Sequence, residues 1–131
     1  MEHKNTKVSL KFVTINRVKK LLKSLKPTTS TAIDQLDNYA VKLAAIWIAQ
    51  PLHHVITLSL MQEKFPSQWK LSKIVPLHKK GSVLMKENYR PVAILSPLSK
   101  ILEKVVFEQM YAYFEKNHLF DPALHGYRRN R

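Results

Sequence analysis

The stretch that decides the fold reads FPSQWKLSKIVPLHKKGSVLMKENYRPVAILSPLSK, residues 65–100. A short β-branched run at Ile74-Val75 predicts one strand, and Val92 to Leu95 can return as a second. Between them, Lys79-Lys80-Gly81 has the composition of a turn. Ser96 is then a typical N-cap, with Pro97 at the first helical position. The order predicts a β-hairpin with a long loop, followed directly by a helix.

Residues before the hairpin show helical periodicity. Apolar side chains recur at helical spacing within residues 15–25, which predicts a first helix. Asp34 or Asp37 can cap a second helix, and Pro51 can begin a third that ends before the hairpin. Trp47, within the second predicted helix, is expected in the core. The segment therefore predicts three helices packed on one another.

After the hairpin, the helix from Ser96 carries a broad apolar face as far as Phe114 and can end at Asn117. The predicted fold class is α+β and mostly helical, with helices flanking a β-hairpin. Residues 1–13 have no decisive pattern and are expected to form a flexible basic arm, while residues 14–131 form one domain.

Charge and composition restrict the possible functions. The 131 residues carry 22 Lys and Arg against 9 Asp and Glu, a formal net charge of +13, and 45% are hydrophobic. A folded chain of this charge favours a polyanionic partner, RNA or DNA first and an anionic membrane surface second. Residues 40–61, the longest apolar-rich stretch, are interrupted by polar residues and fall short of a membrane span. With no cysteine and no secretory signal, an intracellular location is expected, without a choice between cytoplasm and nucleus.

Four blocks in the chain resemble the reverse transcriptases of non-LTR retrotransposons and group II introns. The family has glycines where this chain has Ala32 and Gln35, and glutamine where it has Leu124. The blocks are the Ile15 to Leu25 helix followed by Thr29 to Leu36, then Phe65 to Gly81, Asn88 to Leu95, and His125-Gly126-Tyr127-Arg128. The resemblance implies that residues 14–131 form part of a reverse transcriptase domain, with the fingers region present and the palm absent.

The resemblance also implies binding roles for particular residues. Arg90 falls on the family arginine that contacts the nucleoside triphosphate, and Lys79 or Lys80 falls near a hairpin lysine with the same role. A guanidinium fork and a mobile ammonium suit phosphate oxygens in different ways. A solvated basic hairpin is the plain alternative. Three residues of the last block, Gly126, Tyr127 and Arg128, would lie in the template and nucleotide region.

Catalysis in this family uses two magnesium ions held by aspartates of the palm, so the resemblance implies no catalytic residue and no metal site in this chain. Asp34 and Asp37 more simply cap helices, and the histidines lie on different predicted elements. The implied function is that of a truncated reverse transcriptase fragment. It would be inactive alone, would bind nucleic acid and, weakly, nucleoside triphosphate, and would have the missing palm as its packing partner. Because the family packs its fingers helices on the palm, the resemblance also implies exposed apolar surface on the helix from Ser96 to Asn117. Whether the chain itself is an enzyme stays open.

Two other classes of function fit the same composition. One is a small basic domain that binds RNA or DNA through Lys and Arg and has no polymerase ancestry. The other is an interaction protein whose first helix, residues 14–26, binds an acidic partner or a membrane surface.

Overall fold

The computed structural model describes residues 8–123 together with Gly126 and Arg128. Its elements, in chain order, are α1 (Ile15–Lys23), α2 (Asn38–Leu43), α3 (Ala45–Gln62), β1 (Lys73–His78), β2 (Tyr89–Ile94) and α4 (Pro97–Lys116). Short 3-10 turns at Ser67–Lys70 and Lys86–Asn88 precede the two strands. The strands pair as one antiparallel sheet. The described part is therefore mostly helical with a β-hairpin, as the sequence predicts.

The first helix begins as its sequence indicates and ends at Lys23, two residues before the predicted end. Thr14 is the N-cap, and its hydroxyl accepts a hydrogen bond from the Arg17 amide at 3.1 Å. Its buried stripe consists of Val18, Leu21 and Leu22. The opposite side of α1 carries lysines and no acidic residue, so one face is core and the other is cationic.

A tight turn before α2 uses both candidate capping aspartates. Asp37 is the N-cap of α2 and accepts from the Ala40 amide at 2.7 Å, whereas Asp34 accepts from the Leu36 amide at 3.1 Å within the turn. Gln35 has a positive φ of 60°. This is the left-handed region, which glycine adopts without strain and other residues adopt at a cost. The chain therefore keeps a glycine-type backbone at a position occupied by glutamine.

The prediction that Pro51 begins a third helix is wrong, because Pro51 lies inside α3. Proline has no N–H to donate to the carbonyl four residues earlier, which is that of Trp47. Both residues lie on the solvent side, and Trp47 is 81% exposed. Water can therefore satisfy the freed carbonyl, and the helix continues. The expectation that Trp47 lies in the core is also wrong, because its side chain lies on the solvent side of α3.

The core lies where α1, α3 and α4 meet, with α2 at its edge. Its members are buried aliphatic side chains, and Leu22, Ile56 and Val18 have no measurable exposure. The full set is Val18, Leu21, Leu22, Val41, Ala45, Ala49, Leu52, Ile56, Ile101, Leu102 and Val105. Trp69 and Phe65, at the start of the fold-deciding stretch, pack against this core from outside. The core is thus helical, and the strands of the hairpin pack mainly against each other.

Opposed prolines mark the middle of the hairpin. Pro76 of β1 pairs with Pro91 of β2, and Leu77 pairs with Arg90. The Lys79 amide donates to the Asn88 carbonyl at 2.7 Å, one step beyond the strands. Because hydrogen-bonded and non-hydrogen-bonded pairs alternate in antiparallel sheets, Leu77–Arg90 is a hydrogen-bonded pair and Pro76–Pro91 is not. Both proline nitrogens therefore point to the outer edges, where proline is tolerated.

Two contacts hold the last residues of the predicted flexible arm. Gln109 on α4 accepts from the Lys11 amide at 2.6 Å and donates to the Lys11 carbonyl at 2.9 Å. The His53 Nε2 atom lies 2.7 Å from the Val13 carbonyl oxygen. Residues 11–13 are thus attached to α3 and α4, whereas residues 1–7 lie outside the described part of the chain.

The two halves of α4 differ in their surroundings. At its start, the Ser96 hydroxyl accepts a hydrogen bond from the Leu98 amide. The N-terminal half then contributes Ile101, Leu102 and Val105 to the core. Its C-terminal half leaves Phe107 51% and Met110 42% exposed. The predicted exposed apolar surface on this helix is confirmed.

Candidate nucleotide-phosphate site on the hairpin

The backbone of Arg90 is fixed and its side chain is free. Arg90 is the second residue of β2 and forms a hydrogen-bonded pair with Leu77. Its side chain is exposed to solvent. The sheet therefore anchors this cation at its Cα and leaves the guanidinium available to a ligand.

Lys79 extends the same face of the hairpin. Side chains alternate between the two faces of a strand, and directly paired residues share a face. Leu77 shares a face with Arg90, so Lys79, two residues further along and still paired with Asn88, lies on that face too. Lys80 follows at the point where the chain leaves the ladder. The structure thus brings Arg90 and Lys79 together on one face, and Lys80 is the next residue along the chain.

Asn88 and Tyr89 hold the loop that carries the lysines. The Asn88 side-chain amide donates to the Ser82 carbonyl at 2.8 Å, and the Tyr89 hydroxyl donates to the Val83 carbonyl at 2.8 Å. The Tyr89 ring also contacts the His78 ring edge-on, at 5.3 Å between centroids. These contacts explain why asparagine and tyrosine precede Arg90 in the motif: they brace the loop from its base.

Gly81 has a local reason to be glycine. Its φ is 77°, in the left-handed region, and a Cβ built there would lie 2.7 Å from the Asn88 side-chain nitrogen. The Gly81 carbonyl lies 2.9 Å from His78 Nε2. The turn that follows Lys79 and Lys80 therefore depends on a residue without a side chain.

The hairpin cations have no acidic partner in the described part of the chain. The ion pairs there are Arg17–Glu108 and Arg128–Glu115, and neither includes a hairpin residue. Glu87 is the single acid between Lys79 and Arg90, and it lies exposed in the short 3-10 turn before β2. The positive charge of the hairpin is thus not neutralised by its neighbours.

An apolar surface on the other face of the hairpin was missed by the sequence reasoning. Leu84 at the loop tip is 90% exposed, and Val83 and Ile74 are also exposed. Together with Pro76, Tyr89 and Pro91 they line a shallow depression, whose lining also includes Lys86 and Arg90. The available signal was the apolar run Val83-Leu84-Met85 inside a loop that turn chemistry alone would leave polar.

The residues of the last block have different surroundings. Arg128 pairs with Glu115 at 3.2 Å, and its guanidinium lies 5.1 Å from the centre of the Phe120 ring. No hydrogen bond or ion pair joins it to Lys79, Lys80 or Arg90 among the described residues. A Cβ built at Gly126 would meet no atom within 4 Å. Tyr127 lies outside the described residues, so its predicted role stays a prediction, as do those of Gly126 and Arg128.

The two aspartates before α2 have local structural roles. Asp34 and Asp37 serve the turn and cap before α2. Across residues 8–123, Gly126 and Arg128, no three His, Asp or Glu side chains come together as a metal site would need. The same part of the chain contains no helix both long and apolar enough to cross a membrane.

Comparison with known proteins gives a consistent set of relatives. The chain is 27% identical over 120 residues to the probable RNA-directed DNA polymerase from transposon BS of Drosophila melanogaster, covering 91% of this chain and 13% of that protein. It is 30% identical over 102 residues to the RNA-directed DNA polymerase from mobile element jockey of the same species, covering 77% of this chain and 11% of that protein. The jockey polymerase of Drosophila funebris is 27% identical over 117 residues, covering 88% of this chain and 13% of that protein.

No protein-family model matches the chain, and no solved structure matches it. The chain spans between 11% and 13% of the length of the three polymerases. The similarity nevertheless extends over most of its own residues, including the hairpin described above. The chain is accordingly a relative of the RNA-directed DNA polymerases of non-LTR retrotransposons, matched over a short portion of their length.

Proposed function

We propose that this chain forms the fingers region of a reverse transcriptase and that its hairpin binds the phosphates of a nucleoside triphosphate through Lys79, Lys80 and Arg90. The proposal rests on one observation above all: Arg90 and Lys79 share a face of a braced hairpin and have no acidic partner in the described part of the chain. The similarity to RNA-directed DNA polymerases supports it.

The chemistry of the three side chains suits a triphosphate. The Arg90 guanidinium can donate two parallel hydrogen bonds to a pair of phosphate oxygens, and the lysines act as adjustable point charges. At 4 Å in water each charge pair contributes about 1 kcal/mol. Three such contacts correspond to a dissociation constant of roughly 1 mM or weaker. The isolated chain should therefore bind triphosphate weakly.

RNA or DNA is the second proposed ligand. A formal net charge of +13 favours a polyanionic ligand. The relatives are named RNA-directed DNA polymerases, which makes nucleic acid the polyanion to propose. Gly126, Tyr127 and Arg128 are proposed to lie near the template and nucleotide. The similarity to polymerases over most of the chain disfavours a basic domain of unrelated ancestry.

The remaining part of a polymerase is the proposed packing partner. Phe107, Met110, Tyr111 and Phe114 line an apolar groove on the C-terminal half of α4, together with Phe120. An exposed apolar groove of this kind is typical of an interaction surface. We propose that the palm packs there and supplies the metal-binding aspartates. The chain alone should then bind without extending a primer.

Replacing Arg90 tests the proposal. Arg90→Ala should weaken triphosphate binding, followed by NMR shifts of hairpin amides, more than it weakens binding of a single-stranded RNA oligonucleotide. Lys104→Ala, an exposed lysine on α4, removes the same charge outside the hairpin and should affect the two ligands equally. Equal losses of both ligands in Arg90→Ala would contradict a phosphate site on the hairpin.

A further inference from the structure

The exposed side of α1 is a lysine row with no acidic residue near it in sequence. Lys19, Lys20 and Lys23 lie on α1, and the helix contains no Asp or Glu. At about 100° per residue, these three side chains cover a continuous arc opposite the buried stripe of Val18 and Leu22. Lys20 and Lys23 are exposed and Lys19 is partly exposed. From residue 3 to residue 33 the sequence has no acid at all.

The neighbouring arginine does not belong to this row. Arg17 forms an ion pair with Glu108 of α4 and thereby ties α1 to the last helix. The three lysines have no ion pair in the described part of the chain. Lys19 and Lys23 are four residues apart, a spacing at which like charges repel on a helix. The free protein thus keeps a local repulsion that a bound anion would relieve.

The surroundings of α1 favour a nucleic acid over a membrane as the anion. An amphipathic helix that binds lipid buries its apolar face in the bilayer, but Val18, Leu21 and Leu22 are already buried in the core. Insertion would require α1 to leave the fold. A phosphate backbone needs only the exposed charges. Lys19 to Lys23 extend about 6 Å along the helix axis, which corresponds to about two phosphate spacings of one strand before the reach of the lysine side chains is added.

We propose that Lys19, Lys20 and Lys23 form a second nucleic-acid surface, separate from the hairpin, that binds the phosphate backbone of RNA or DNA without sequence preference. It does not depend on triphosphate binding by Arg90. Each lysine that contacts a phosphate of a single strand contributes about 0.7 to the slope of log K against log salt. Three contacts contribute a slope of about 2 and, at 0.1 M salt, up to about 100-fold in affinity.

The test uses the full chain and a labelled oligouridylate. Fluorescence anisotropy gives the binding constant K at salt concentrations from about 0.05 to 0.4 M, and the slope of log K against log salt follows from these values. The triple variant Lys19→Gln, Lys20→Gln, Lys23→Gln should bind at least tenfold more weakly at 0.1 M salt and should have a shallower slope, by about 2. The matched control Lys64→Gln, Lys104→Gln, Lys116→Gln removes three exposed charges from other parts of the chain and should keep most of the affinity. Thermal melts of both variants establish that they are folded.

In a second triple variant, each of the three lysines is replaced by arginine, which keeps the positive charge. This variant should bind oligouridylate as the unmodified chain does, and it tests the proposal even if the glutamine variant does not fold. Equal losses in the α1 and control variants would overturn the proposal in favour of diffuse attraction by net charge. Equal binding of polyglutamate and oligouridylate at matched charge would overturn it in favour of an acidic protein partner. Arg90→Ala should leave oligouridylate binding largely intact, so this proposal and the hairpin proposal can fail separately.

Discussion

Replacing Gln35 by glycine should stabilise the protein, although glycine usually weakens folded structure. Gln35 is exposed and has a φ of 60°, a conformation that costs a residue with a Cβ about 1–2 kcal/mol. Gln35→Gly removes this cost but gives the unfolded chain more freedom, which offsets about 0.4–1 kcal/mol. The expected net gain in the free energy of unfolding is about 0.5–1 kcal/mol.

Gln50→Gly is the matched control. Gln50 is also an exposed glutamine, but it lies in the interior of α3. Glycine in a helix interior costs about 1 kcal/mol relative to good helix formers. The same chemical change should therefore have opposite signs at the two positions, and the two variants should differ by about 1.5–2 kcal/mol.

Urea unfolding followed by circular dichroism measures this difference directly, provided that the slope of free energy against urea is unchanged. In a thermal melt, Gln35→Gly should raise the midpoint by roughly 3 °C for a chain of this size. If Gln35→Gly destabilises the protein as much as Gln50→Gly does, residue 35 does not have the left-handed conformation and the reasoning fails.

Two further predictions concern single contacts. Gly81→Ala should open the base of the hairpin loop, because its Cβ would meet the Asn88 side chain at 2.7 Å with φ at 77°. We expect faster hydrogen exchange at the Lys79 amide, unchanged exchange in the helical core and weaker triphosphate binding; unchanged exchange at Lys79 would contradict the loop geometry. Gln109→Ala removes both hydrogen bonds to the Lys11 backbone. Because the position is exposed, the loss should lower the free energy of unfolding by about 1 kcal/mol. NMR should show faster exchange of the Lys11 amide, and the melting temperature should fall by no more than roughly 4 °C. A protected Lys11 amide in this variant would show that the attachment has another origin.

Local sequence signals predicted much of the fold. Thr14 before α1, the turn composition at Lys79-Lys80-Gly81 and the Ser96-Pro97 pair before α4 each act over a few residues, so they are visible without tertiary structure. The helical content and the hairpin followed from these signals and from periodicity.

Local signals do not show which face of a helix is exposed to solvent, and features that depend on that face were not predictable. A proline at a helix start and a proline tolerated on the wet face of a longer helix look alike in sequence, which is why Pro51 was misplaced. Trp47 is a large aromatic residue in an apolar segment, and only the orientation of α3 makes it exposed.

For the candidate site, the motif identified Arg90 and the two lysines as a set. Their placement on one face required the register, which neither strand pattern specified alone. The packing of Arg128 against Phe120 and Glu115 likewise depends on how the chain returns to α4.

The opposed prolines of the hairpin also limit how its strands can slide. The loop of residues 79–88 is too long to impose an alignment, so another restraint is needed. If β2 slipped by one residue, either Pro76 or Pro91 would turn its nitrogen inward and a ladder bond would be lost. The two prolines therefore disfavour a register shift of one residue. Arg90 and Lys79 stay on the same face of the hairpin even when the loop at its tip moves.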